Sequence, residues 1–180
     1  METIGVVAGS FDPATRGHAW LIEEAARLVD KLYIVVGVNP AKKYWFDQNE
    51  RVQFLEALLA DLDLKGTPIE IHFLHNDLLV QFAAKHHATH LIRGVRNLVD
   101  FGYETNMAGI NRRIEPNIRT VYLSPPPEFT EVSSSTVKGL VGFTDWEHII
   151  RDFVHPCVIK GFKRKLQERL NAGGPAIAGG

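Results

Sequence analysis

Cysteine is all but missing from this chain of 180 residues: Cys157 stands alone. No intrachain disulfide can form, so the fold must rest on a packed core, and one thiol fits a reducing compartment. Cys157 itself reads as a half-buried core residue. Long hydrophobic runs are missing too. Nothing approaches the ~18 consecutive apolar residues of a membrane span, and no basic stretch, apolar core and cleavage site of an export signal opens the chain. A cytoplasmic protein is expected. Nor is there an excess of either charge: 20 Lys and Arg face 21 Asp and Glu, a formal charge of −1. That balance gives no global positive field for holding a nucleic-acid backbone, so neither nucleic acid nor membrane is expected as a partner. Repeats and low-complexity blocks are absent.

What is present is an ordinary globular composition, 45% hydrophobic and 23% charged, enough for one real core. Short β-branched runs at 3–8, 32–38, 69–74, 89–93 and 118–123 read as buried strands. Segments of helical period separate them. Leu21, Ile22, Ala25, Leu28 and Val29 share one helical face, and 48–62 and 77–87 repeat the pattern. Strand, helix, strand in this rhythm implies parallel strands joined by crossovers, hence a doubly wound α/β fold with a five-stranded parallel sheet. Pro125, Pro126 and Pro127 mark a loop after the fifth strand. One domain is expected over 1–171, with 172–180 (AGGPAIAGG) a flexible glycine-rich tail.

Ligands in such sheets bind beyond the carboxyl ends of the strands. The first strand ends in Gly9-Ser10-Phe11-Asp12-Pro13, and Thr15-Arg16-Gly17-His18 opens the first helix. Free backbone N–H groups and a positive dipole end are expected there, with Gly9 and Gly17 admitting a phosphate and His18 aimed at it. Neither G-x-x-x-x-G-K-[ST] nor G-x-G-x-x-G occurs, so the phosphate site is of another type. Arg93 and Arg96 lie at the end of the fourth strand, where guanidinium forks suit phosphate oxygens. Ser133, Ser134 and Ser135 enter a helical segment, where hydroxyls and free N–H groups can grip a pyrophosphate. His86, His87 and His90 are close in sequence but not in direction, and no structural metal site is expected.

The string from Gly9 to Pro13, followed by Thr15-x-Gly17-His18, resembles the (H/T)xGH signature of the nucleotidylyltransferases, and its threonine form resembles the phosphopantetheine adenylyltransferases. Asn39-Pro40-Ala41-Lys42-Lys43, Asp100-Phe101-Gly102-Tyr103-Glu104, Asn111-Arg112 and the run from Ser133 to Lys138 extend the likeness. The resemblance implies a Rossmann-like nucleotidylyltransferase fold, and transfer of the adenylyl group of ATP to 4′-phosphopantetheine with Mg²⁺ assisting. A homohexamer is implied as well. It implies His18, Lys42 and Arg96 as catalytic, and Ser10, Lys42, Leu79 and Arg93 as contacts of the acceptor. ATP would meet Ser10, Phe11, His18, Gly94, Val95, Arg96, Glu104, Phe129, Thr130, Glu131, Val132, Ser133, Ser134 and Ser135. His18, Lys42, Arg93 and the metal ion would supply the compensating positive charge.

Three positions depart from the usual pattern. Ser10 replaces a threonine, Gly102 a glutamate and Phe129 a tryptophan. Two other readings stand beside this one: an enzyme acting on nicotinate mononucleotide, against which Thr15 argues, and a module that binds ATP without turnover. Lys160, Lys163, Arg164, Lys165 and Arg169 read as a solvated helix face.

Overall fold

The computed structural model describes residues 2–38, 42–75 and 77–173. Strands β1 (Ile4–Gly9), β2 (Lys31–Gly37), β3 (Ile69–Leu74), β4 (His90–Gly94) and β5 (Arg119–Leu123) form one all-parallel sheet in the order β3-β2-β1-β4-β5. Each lies within one residue of its expected bounds. The helices are α1 (Arg16–Leu28), α2 (Gln48–Leu59), α3 (Leu79–Lys85), α4 (Leu98–Ile114), α5 (Pro127–Thr130), α6 (Ser134–Leu140), α7 (Trp146–Ile150) and α8 (Pro156–Asn171). Among the described residues, no helix is long and apolar enough to cross a membrane.

The strands are apolar on both faces because both faces are covered. On one side Val7, Leu32, Ile34 and Val36 pack with Ile22 of α1 and Leu55 of α2. On the other, Ile4, Val6, Tyr33 and Val35 pack with Val80 and Phe82 of α3. Local chemistry sets the helix starts. Thr15 caps α1, and at α2 Asp47 and Glu50 cap each other reciprocally, Glu50 N–H to Asp47 Oδ1 at 2.9 Å and Asp47 N–H to Glu50 Oε2 at 2.7 Å.

Several expected bounds shift. α2 stops at Leu59 rather than 62, where Asp61 and Asp63 would load the negative end of the dipole. α3 ends at Lys85, short of 87, as His87 takes a left-handed φ of 55°. Pro127 is not loop but the first residue of a one-turn helix, a position where its missing N–H is no loss. α4 is a helix without one buried residue, so no apolar stripe announces it in the sequence.

The C-terminal helix docks through its apolar face, while Lys160, Lys163 and Arg164 of its basic face are exposed and Lys165 and Arg169 are half-buried. Val158 and Phe162 lie in the core, and Phe162 meets Phe46 with ring centroids 4.9 Å apart. Arg164 and Lys165 pair with Glu50 of α2, and the Arg169 guanidinium lies 3.9 Å from the Trp45 ring centre. Of the expected tail at 172–180, Ala172 and Gly173 close α8, with Ala172 as its C-cap and the Gly173 N–H donating to Leu170 O at 3.0 Å; 174–180 lie outside the described residues.

Candidate active site

Because the chain turns from β1 one way to β2 and the other way to β4, a crevice opens over the carboxyl ends of β1 and β4. A cavity of about 430 Å³ occupies it, walled by Ser10, Thr15, Gly17 and His18 on one side, Arg93, Gly94, Arg96, Asp100 and Glu104 on another, and Phe129, Val132, Ser133, Ser134 and Ser135 on a third.

His18 is set by its own helix cap. The Thr15 N–H donates to His18 Nδ1 at 3.0 Å, and the His18 N–H donates to Thr15 Oγ1 at 3.4 Å. With Nδ1 accepting, the ring proton sits on Nε2. Burial, and then the Arg96 guanidinium, push the imidazole from 6.5 down to about 4. At neutral pH His18 is therefore an uncharged donor, which corrects the expectation that it brings positive charge. Phe11, its ring centre 4.9 Å from that of His18, supports it from below.

The expected row of free amides at α1 shrinks to one. The Arg16 N–H donates to Phe153 O at 2.7 Å and the Ala19 N–H to Thr15 O at 3.0 Å, leaving the Gly17 N–H without a partner among the described residues. Packing by itself calls for glycine at both positions. A Cβ on Gly17 would stand 3.0 Å from the Val132 carbonyl oxygen, and one on Gly9 would stand 3.2 Å from the Phe11 ring.

Each arginine of the cavity holds a carboxylate. Arg93 grips Glu104 with Nε at 2.9 Å and Nη2 at 2.6 Å, and Arg96 holds Asp100 through Nε at 2.8 Å. The Arg96 hydrogen bond keeps the Asp100 carboxyl below the usual carboxylate range. The two pairs cancel in charge, so the arginines offer oriented donors rather than a surplus of cations. Tyr122 braces the arrangement by donating its hydroxyl proton to Glu104 O at 3.4 Å.

The serine loop is tied to the first turn: Ser134 Oγ donates to Pro13 O at 2.8 Å, and Ser133 Oγ accepts from the Thr136 N–H at 3.0 Å as the cap of α6. Beneath the site lies a buried cation that sequence reading passed over. Arg51, 1% exposed, donates through Nη1 to Ser10 O at 2.7 Å and Gly37 O at 3.1 Å, and sits 4.3 Å from the Tyr44 ring centre. It joins the ends of β1 and β2. Only its place three residues after the helix-capping Asp47–Gln48 step could have hinted at burial.

The sequence pattern of the cytidylyltransferase-like family matches residues 6–140. A protein of Chromobacterium violaceum called phosphopantetheine adenylyltransferase is 43% identical over 83% of this chain and 88% of its own length. A protein of the same description from Lactobacillus helveticus is 37% identical over 91% and 96%. The chain belongs to the phosphopantetheine adenylyltransferases, within the cytidylyltransferase-like family. The fold agrees with that family's wider circle. Nicotinic acid mononucleotide adenylyltransferase of Plasmodium falciparum superposes with a TM-score of 0.67 over 91% of this chain and 96% of its own, at 14% identity. A putative nicotinate-nucleotide adenylyltransferase of Vibrio parahaemolyticus superposes with 0.62 over 94% of each, at 15%.

Not every residue that the family resemblance singled out reaches the cavity. Phe11 is fully buried, because its left-handed φ of 47° turns the ring under the strand end. Lys42 is exposed on the segment after β2 and is not part of the wall; Asn39, Pro40 and Ala41 before it lie outside the described residues. Leu79 opens α3 and packs on the opposite core with Val80 and Tyr33. Val95 faces a neighbouring pocket with Phe101 and Tyr122. Thr130 donates to Pro126 O at 3.4 Å within α5, and Glu131 is exposed at its end. Conversely, Trp20, Leu21 and Pro125 line the cavity without having been expected there; their helical and loop positions carry no chemical signal.

The donor set does not fit a protein-built metal site. Among the described residues no three of His, Cys, Asp and Glu converge, and both carboxylates of the cavity are held by arginines.

Proposed function

We propose that this protein transfers the adenylyl group of ATP to 4′-phosphopantetheine, giving dephospho-coenzyme A and pyrophosphate. The observation that carries the reading is the pairing of close relatives described as phosphopantetheine adenylyltransferases with a cavity that gathers hydrogen-bond donors suited to phosphate on three of its walls: His18, Arg93, Arg96 and Ser133 to Ser135.

In this reading, an oxygen of the acceptor phosphate attacks the α-phosphorus of ATP, and the bond to the β,γ-pyrophosphate breaks. The acceptor is already an anionic nucleophile, so no serine or cysteine nucleophile is required. His18 donates Nε2–H to an α-phosphate oxygen as charge develops there. Arg96 with the serine loop holds the departing pyrophosphate, and Arg93 orients the acceptor phosphate. Ser10 stands between the two substrates. Lys42 swings in from its exposed segment to complete the acceptor site, and Phe129 offers an aromatic face to the nucleotide. Mg²⁺ enters as part of the ATP substrate, held by its phosphate oxygens.

The protein is further proposed to act in the cytoplasm and as a homohexamer. What supports assembly is α4, which exposes Leu98, Val99, Phe101, Tyr103 and Ile110, apolar surface that water disfavours. Light scattering on the purified chain reads the assembly directly.

The reaction is tested by pyrophosphate release from ATP with either 4′-phosphopantetheine or nicotinate mononucleotide. Release with the first alone is expected. Release only with the second, or with neither, overturns the proposal.

A further inference from the structure

Asp12 is the point where two distant loops meet. Its carboxylate is 1% exposed and fully engaged. Oδ1 accepts from the Phe46 N–H at 3.0 Å, both oxygens accept from the Trp45 N–H at 3.2 Å, and Oδ2 accepts from Lys138 Nζ at 3.1 Å. The amides belong to the segment after β2, which carries Lys42. The ammonium belongs to α6 after β5, whose first turn carries Ser134 and Ser135 of the cavity wall. β2 and β5 are not neighbours in the sheet; β1 and β4 lie between them.

We infer that Asp12 and Lys138 form a positioning pair that couples the acceptor-side loop to the nucleotide-side loop. The inference rests on the proposed two-substrate reaction. A buried carboxylate released by its cation is strongly disfavoured, so the ion pair resists separation of the two loops. Ser134, donating to Pro13 O at 2.8 Å, adds a second tether between α6 and the same turn. Any ligand that draws the serine loop inward pulls Lys138, and through Asp12 the amides of Trp45 and Phe46. Binding of nucleotide thus sets the acceptor segment, and the two anions are held in line. Transfer is sensitive to that register, since a misplacement of about 1 Å lowers rate on the order of a hundredfold.

The test compares the full-length protein with its Lys138→Met and Lys138→Arg variants. Calorimetry reads the affinity for α,β-methylene-ATP with and without 4′-phosphopantetheine, and the ratio of the two is the coupling factor. In Lys138→Met, the affinity for each ligand alone is expected to stay near that of the wild type. The coupling factor is expected to move toward one and kcat to fall on the order of a hundredfold. Lys138→Arg restores both. A purely structural role would instead lower the melting temperature and leave coupling and kcat intact, and that result overturns the inference. Should Lys138→Met not fold, Asp12→Asn/Lys138→Met removes both charges and keeps an acceptor for the amides. This double variant is expected to fold and remain uncoupled; wild-type kcat and coupling in it overturn the inference. Wild-type protein that releases no pyrophosphate from ATP and 4′-phosphopantetheine sinks the substrate reading, and the coupling with it. An active wild type whose Lys138→Met variant is equally active sinks the coupling alone.

Discussion

Arg93 and Glu104 meet as two parallel hydrogen bonds, Nε to Oε2 at 2.9 Å and Nη2 to Oε1 at 2.6 Å, while Arg93 Nη1 donates to the Ala8 carbonyl at 2.9 Å. The fork at the end of β4 is aimed before any anion arrives, with its charge already balanced. In the proposed reaction an incoming phosphate meets a fixed orientation and the donors that remain, so its binding need not freeze a long side chain.

Arg93→Ala removes those donors and strands Glu104, whose side chain is only 12% exposed. Stability should fall by about 2 kcal/mol, less than for a fully buried pair because solvent reaches part of it. The KM for 4′-phosphopantetheine should rise. Adding Glu104→Gln should recover most of the stability and none of the activity. Urea denaturation and pyrophosphate-release kinetics on both variants decide it; equal stability of the single and double variants would contradict the pairing argument.

His18 titrates near 4 in the folded protein against 6.5 unfolded. Above 6.5 neither state is protonated and the protein keeps its full stability. As pH falls from 6.5 toward 4 the unfolded chain takes a proton that the folded one refuses, and up to roughly 3 kcal/mol is lost. His18→Ala should flatten that part of the stability curve while lowering turnover at least about a hundredfold. Histidine NMR titration of the wild type should place this imidazole well below 6.5, and bound triphosphate should raise it. An imidazole that titrates normally in the free protein would remove the uncharged-donor role.

Gly161 is where α8 crosses the aromatic cluster. A Cβ there would stand 2.6 Å from Phe54 Cζ and 3.1 Å from Phe46 Cε1, and neither ring has a flexible end to yield. Gly161→Ala should destabilise by about 1–3 kcal/mol despite alanine's better helix propensity. Thermal unfolding reads the effect, and a rise in melting temperature would show that the cluster relaxes.

Much of this architecture was legible in the chain itself. The β-branched runs name all five strands because a parallel sheet buried on both faces demands continuous apolar sequence. Thr15 announces the start of the first helix because capping acts within a single turn. The turn from Gly9 to His18, the arginines after the fourth strand and the serine run were all recognisable, and most of them do line one cavity. Phe11, Lys42 and Leu79 were named by resemblance to the family alone; the structure places a buried ring, an exposed lysine and a half-buried leucine there, none of them in the cavity wall.

Element order, strand identity and the positions of the motifs that line the cavity were determined by the sequence alone, since they depend on periodicity and on neighbours a few residues apart. The tertiary structure alone decided the charge states and pairings. Lys138 reaches Asp12 across 126 positions, and Arg93 reaches the Ala8 carbonyl across 85. The neutral state of His18 follows from burial beside Arg96. Distances and desolvation of this kind exist only after the crossovers have brought the strand ends together.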